Sequence, residues 1–389
     1  MGSSKDSISW STLMNGYAQI SETGMVVDLF CGMRRCGVVT NPATIVCLLS
    51  VVEPGEGEAI HGFCVKSGIL LYLNAVTAIA SMYVRFERVE DARVVFDETP
   101  RRDAVTYNCI VDGYAKRGDF DECLRLLRLM RHERVRMNSS TFVGLLAACA
   151  SSGALAVGHK VIEIVRAENL DLDTSLGTAI LDMYVKCGYI NESIEVFNKM
   201  NNRDVMAWTA MIMGLGIHGR AQDALDLFRE MEEEGLTPNE VTFLAVLNAC
   251  SHGGMTDLSK EFLKKMIIDY KITPSIKHYG CVIDSLARAG LLEEAYELIN
   301  NLPLEGDAMA WRALLAACRV HGEVRIGQIA RGALMDLGDL HPTDSILLSR
   351  TYASSEKWED VGRMREMEVE KMKRMEKKEA GCSLIEMSR

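Results

Sequence analysis

Apolar residues recur along this chain at helical spacing, in pairs of short runs. Tyr107, Ile110, Val111 and Tyr114 stand at i, i+3, i+4 and i+7, and Ala221, Ala224, Leu225 and Phe228 repeat that spacing in another segment. Each set therefore falls on one face of a 3.6-residue helix. Gly118 and Gly219 sit where the first helix of a pair should end in a left-handed cap, and Gly235 followed by Pro238 closes the second. No convincing run of alternating apolar and polar residues is present, so strands are not expected. The pattern predicts an all-α chain of helical hairpins.

The hairpins repeat. Residues 104–138 align with residues 205–239, one block of 101 residues further on. A period in the thirties marks an α-solenoid whose neighbouring repeats share a core, so function must lie in what the repeats present together. Laid end to end, repeats 7–41, 104–138 and 205–239 are one kind, each 35 residues long. Repeats 42–72, 139–173 and 240–275 follow them, the last two marked by "LLAAC" or "AVLNAC". A third kind spans 73–103 and 174–204, each 31 residues, and 276–307, one residue longer. Repeat 42–72 is four residues shorter than 139–173, a loss expected around Glu53, Pro54 and Gly55 and expected to disturb packing there.

Composition agrees and adds one objection. At 389 residues and 48% hydrophobic, the chain has apolar material for an extended core but too much length for one compact domain. Its twelve cysteines include no C-x-x-C pair, so they read as reduced core residues in a reducing compartment rather than disulfides or a zinc site. No apolar run approaches the roughly 20 residues needed to cross a membrane. The opening "MGSSKDS" resembles neither a signal nor a transit peptide and leads straight into a repeat, from which a missing N-terminus or an engineered start is expected. The net charge of −11 speaks against nucleic acid, because phosphate contacts need lysine and arginine.

Two apparent catalytic motifs read better as structure. Gly214, Gly216 and Gly219 spell G-x-G-x-x-G, which would hold a pyrophosphate only between a strand and a helix. Here they fall at the end of a first helix, in register with Gly113 and Gly118. His321, Gly322 and Glu323 spell H-x-E, but only Cys382 follows, too few ligands for a deaminase zinc, so a turn is expected. No catalytic residue, cofactor, metal or small-molecule substrate is assigned.

Polar residues recur where hairpins do not demand them. The fifth residues of successive reading repeats are Ser11, Thr77, Asn108, Thr178 and Thr209, and the last residues are Asn41, Asp103, Asn138, Asp204 and Asn239. N-capping accounts for residues of this type at a helix start. It does not account for the pairing of the two positions. The long, long, short order, "GYAKRG", "LLAACASSGALAVGHK" and "AILDMYVKCGYINESIEVFNKMNNRD" resemble the PLS class of pentatricopeptide repeat proteins over about residues 7–387. In addition, "AWRALLAACRVHGEVRIG" and the stretch from "LLSRTYASSEKWED" onward, within 308–387, resemble the E-type extension of plant organellar editing factors.

The resemblance implies a right-handed superhelix of hairpins in which the fifth and last residues of a repeat contact one RNA base. Asp103 and Asp204 would accept from guanine, whereas the amides of Asn41, Asn138 and Asn239 would donate to adenine or cytosine. Ser or Thr at the fifth position goes with purines and Asn with pyrimidines, so the repeats would read 5′ A, any, G, C or U, any, G, A. Five reading repeats, at about 1–3 kcal/mol per mismatch, would supply roughly 5–10 kcal/mol of discrimination. Ile8, Val105 and Met206, at second positions, would press on base faces or else belong to the core. Val46, Val143 and Leu244, fifth in the middle repeats, would space the readers or meet a protein partner. Gly280 offers no side chain, so no base is assigned to the repeat ending at Asp307.

The implied function is that of a non-enzymatic RNA-binding specificity factor for organellar C-to-U editing, in mitochondria or alternatively plastids. Its partners would be single-stranded RNA, a DYW-type cytidine deaminase acting in trans and other editing-complex proteins. An RNA stability or splicing role shares the same RNA surface. A helical-repeat scaffold that binds a peptide accommodates the acidic charge more easily, and a third reading places a deaminase beyond Arg389.

Overall fold

The structure is a computed structural model and describes residues 7–20, 22–302, 308–339, 341–355 and 357–363. These form two compact units, one through Asn202 and one from Arg203. In the N-terminal unit the helices are α1 (Ser7–Gln19), α2 (Thr23–Arg35), α3 (Pro42–Val51), α4 (Pro54–Ser67), α5 (Leu73–Arg85), α6 (Val89–Asp97), α7 (Ala104–Arg117), α8 (Phe120–His132), α9 (Ser139–Ser152), α10 (Leu155–Ala167), α11 (Thr174–Lys186) and α12 (Ile190–Lys199). In the C-terminal unit they are α13 (Val205–Ile217), α14 (Ala221–Glu233), α15 (Glu240–His252), α16 (Thr256–Ile268), α17 (Ile276–Arg288), α18 (Leu292–Asn300), α19 (Ala308–His321), α20 (Val324–Asp336) and α21 (Pro342–Ser354). Every regular element among the described residues is helical.

Within each unit the odd-numbered first helices pack one on the next, and each second helix leans against its own first helix. This explains their different compositions. A first helix such as α9, held between α7 and α11, is apolar on most of its circumference and buries Phe142, Leu145, Leu146 and Cys149. A second helix such as α8 buries Cys123, Leu124, Leu126, Leu127 and Met130 on one face and carries arginines and acids on the other. Tyr107, Ile110, Val111 and Tyr114 are buried, as are Ala221, Ala224, Leu225 and Phe228. Each such large side chain contributes about 1.5–3 kcal/mol by leaving water. Edge-to-face aromatic pairs, Phe96 on Tyr107 at 4.9 Å and Phe228 on Phe262 at 5.4 Å, fix the hairpins further.

Two glycines have positional reasons. Gly118 closes α7 at φ 79°, a left-handed conformation that a side chain resists. Gly216 lets α13 approach α15, since a Cβ there would meet the Ala249 Cβ at 2.8 Å. The G-x-G-x-x-G segment is therefore a helix end packed on its neighbour.

The expected disturbance in repeat 42–72 takes a different form. The missing residues come from the first helix, since α3 has 10 residues where α9 has 14, and α4 starts cleanly at Pro54 with Glu53 as its cap. The carbonyls exposed by the early end of α3 are satisfied from the next repeat. Arg85 donates to Leu49 O and Val52 O, each at 2.9 Å, and also to Ser50 O. A guanidinium thus replaces the missing turn.

Candidate functional site

The last residue of each reading repeat is the N-cap of the helix that follows. Asn41 Oδ1 accepts from the Thr44 amide at 2.8 Å and the Thr44 hydroxyl at 2.9 Å. Asp103 Oδ1 accepts the same two bonds from Thr106 at 2.9 and 2.8 Å. Asn138 and Asn239 do so with Thr141 and Thr242, at 3.0–3.1 Å. Asp204, in the C-terminal unit, accepts from the Ala207 amide at 2.9 Å. Capping is thus a real duty of these side chains.

The fifth residues do something else. Ser11 Oγ lies 2.8 Å from Thr44 Oγ1, Thr77 Oγ1 lies 2.9 Å from Thr106 Oγ1, and Thr209 Oγ1 lies 2.8 Å from Thr242 Oγ1. Asn108 Nδ2 donates directly to Asn138 Oδ1 at 3.3 Å. In these four repeats the fifth and last residues are therefore joined, in three of them through a threonine at the third position of the next repeat. Thr178 sits on α11 with its hydroxyl buried and unpartnered. Asn108 Oδ1 is likewise buried without a partner. Buried polar atoms left unpaired cost about 1–3 kcal/mol each, and two of them fall at fifth positions.

The cap fixes which atom remains. A backbone N–H donates, so the capping atom of asparagine must be its oxygen, leaving the Nδ2 donor; in aspartate the second atom is the Oδ2 acceptor. Asp103, Asn138, Asp204 and Asn239 are exposed and Asn41 is half-buried. One cap geometry thus presents opposite hydrogen-bond signs.

Beside these positions, Ile8, Val105 and Met206 are 69%, 60% and 69% exposed, which removes them from the core. Val143 and Leu244 are half-buried and Val46 is exposed. Gly280 on α17 presents no side chain, and Asp307 lies outside the described residues. At the ends of first helices Lys116 pairs with Asp112, Lys186 with Asp182 and Arg288 with Asp284.

The remaining chemistry is structural. Glu323 caps α20 by accepting from the Arg325 amide at 3.1 Å, so H-x-E is a turn. Among the described residues no cluster of His, Cys, Asp or Glu could hold a metal. Their cysteines are all free thiols, and burial pushes Cys64 and Cys149 up to about 11 and Cys123, Cys250 and Cys318 to about 12. No helix among these residues is long and apolar enough to cross a membrane. The sequence reading missed the bridging threonines, although N-x-x-T and D-x-x-T carry capping-box spacing. It also missed Arg85, which only the approach of two repeats reveals.

Residues 102–151 and 203–252 match the PPR repeat family, residues 8–38, 178–205, 241–269 and 277–306 match the PPR repeat, and residues 321–386 match the E motif. A mitochondrial pentatricopeptide repeat-containing protein of Arabidopsis thaliana is 46% identical over 393 residues, covering 100% of this chain and 68% of that protein. A chloroplastic one is 35% identical, over 98% of this chain and 45% of its own length. Among solved structures, pentatricopeptide repeat protein PPR10 from maize superposes with a TM-score of 0.78 at 15% identity, over 94% of this chain and 54% of that one. PPR10 in complex with an 18-nt psaJ RNA element gives the same TM-score of 0.78. The fold shared with PPR10 is a solenoid of helical hairpins.

Proposed function

The chain belongs to the pentatricopeptide repeat family, in the PLS class with an E motif, and from that premise we propose that it binds single-stranded RNA sequence-specifically and marks sites for organellar C-to-U editing by a deaminase supplied in trans. The observation that carries this reading is the bonded link between fifth and last positions, as in Thr77, Thr106 and Asp103. It brings together two side chains 26 residues apart in sequence and leaves one atom of defined sign unused. Capping alone requires neither. The RNA held by PPR10 supports the same use of this scaffold.

Ser11/Asn41 and Thr209/Asn239 read A, Thr77/Asp103 and Thr178/Asp204 read G, and Asn108/Asn138 reads a pyrimidine. The test is binding of the whole chain to an RNA carrying A-x-G-Y-x-G-A, beside one with both G positions changed to C, across a salt series. Two mismatches should weaken binding by at least about 30-fold. Equal or absent binding to both RNAs would favour a peptide-holding scaffold, to which the net charge of −11 is better suited. The E motif at residues 321–386 supports editing as the downstream event. The mitochondrial relative supports that organelle, with the plastid as alternative. Loss of C-to-U conversion at a matching transcript site on gene disruption would be the cellular counterpart.

A further inference from the structure

Repeat 42–72 ends differently from the other middle repeats. Asp173 accepts from the Leu176 amide at 2.8 Å and caps α11, and Ser275 forms a capping box with His278. Tyr72 occupies the cap position of α5 and makes no capping bond, a choice that forgoes helix stability. Tyr72 is 56% exposed, and Leu71, closing a single 3₁₀ turn, is 90% exposed. Both residues, with Val46, line a cavity of about 890 Å³ that also includes Thr77 and Asp103. The fifth and last positions of two successive repeats thus open on one space of the size that small ligands occupy. One pair is polar and the other, Val46 and Tyr72, is not.

We propose that Tyr72, backed by Leu71 and Val46, is a stacking platform for the nucleobase immediately 5′ of the one read by Thr77 and Asp103. Repeat 42–72 then holds a base instead of spacing its neighbours. The occupant is a nucleobase because the space is continuous with Thr77 and Asp103, and because every base offers a π-face to an aromatic ring whatever its hydrogen-bonding edge. The platform senses that a base is present, not which one. This inference rests on the RNA-reading proposed above. Repeat 139–173 is its internal control, since Asp173 is engaged as a cap and by the Ser139 hydroxyl while Val143 is half-buried.

The experiment uses the whole chain and the A-x-G-Y-x-G-A RNA with an abasic nucleotide at its second or its fifth position. Removing the second base should weaken binding by about 5- to 150-fold, and removing the fifth should change it far less. Tyr72→Ala should lose the same factor on intact RNA and become insensitive to the second base, whereas Tyr72→Phe and Tyr72→Trp should retain it. Circular dichroism and thermal melting show whether each variant is folded. Wild-type affinity in Tyr72→Ala, with G still preferred over C at the third nucleotide, overturns the platform and leaves the reading standing. A folded Tyr72→Phe as weak as Tyr72→Ala also overturns it, because the ring would not be what matters. No preference for G at the third nucleotide in the wild type overturns the reading, and the platform with it.

Discussion

Thr77 and Arg312 occupy the same place in two hairpins, the fifth residue of a first helix, and do opposite things there. Thr77 shares a hydroxyl contact with Thr106 and leaves Asp103 Oδ2 unused. In the hairpin beginning at Ala308, Arg312 faces Asp344 at 3.3 Å and Asp339 at 3.2 Å, and Asp344, the third residue of α21, is 1% exposed. Threonine at that third position relays one hydrogen bond onward and leaves an acceptor over. Aspartate there binds the guanidinium and the His341 amide, at 2.8 Å, and leaves little for a ligand. The same register therefore leaves the proposed reading atom of Asp103 free in one hairpin and makes a lock of Arg312 and Asp344 in the other. The charge of two side chains decides which.

Three substitutions break or sharpen that contrast. Arg312→Ala should have the largest effect, because it leaves the Asp344 carboxylate buried without its cation; a loss of about 3 kcal/mol is expected in urea unfolding, with base preference on RNA untouched. Next, Asn239→Asp keeps the cap and reverses the sign of the unused atom. Binding to RNAs differing only at that nucleotide should swing from A toward G by about 1–3 kcal/mol, and an unchanged preference would remove this repeat from the readers. Smallest is Thr106→Val, which deletes the relay between Thr77 and Asp103 while the amide cap survives. About 1 kcal/mol of stability should go, seen as a lower melting temperature, together with a weaker preference for G over C at the third nucleotide.

Much of this architecture was legible because the residue that ends one repeat also starts a helix. First helices begin at Ser7, Pro42, Leu73, Ala104, Ser139, Thr174, Val205, Glu240, Ile276 and Ala308, each following a residue type or periodic apolar run visible in the chain. What was not legible depended on approach between elements. Nothing local to Arg85 announces that it will cap α3 across 33–36 residues. Whether Ile8, Val105 and Met206 were core or surface could not be settled from spacing, because a first-turn residue lies at the edge of the buried stripe. Their exposure of 60–69% places them at the surface. The deletion in repeat 42–72 was visible by length, but its placement in α3 was not, since Glu53 and Pro54 looked like a damaged loop and are an intact helix start.

The cap that uses a single oxygen has an evolutionary consequence. Asparagine and aspartate codons differ by one transition at their first base, and both residues satisfy the same amide at Thr44, Thr106, Thr141, Ala207 and Thr242. Under the proposed reading, a repeat exchanges one target letter for another in a single mutational step without passing through an unfolded ancestor. On that reading the chain can follow a drifting target, changing its address while keeping its shape.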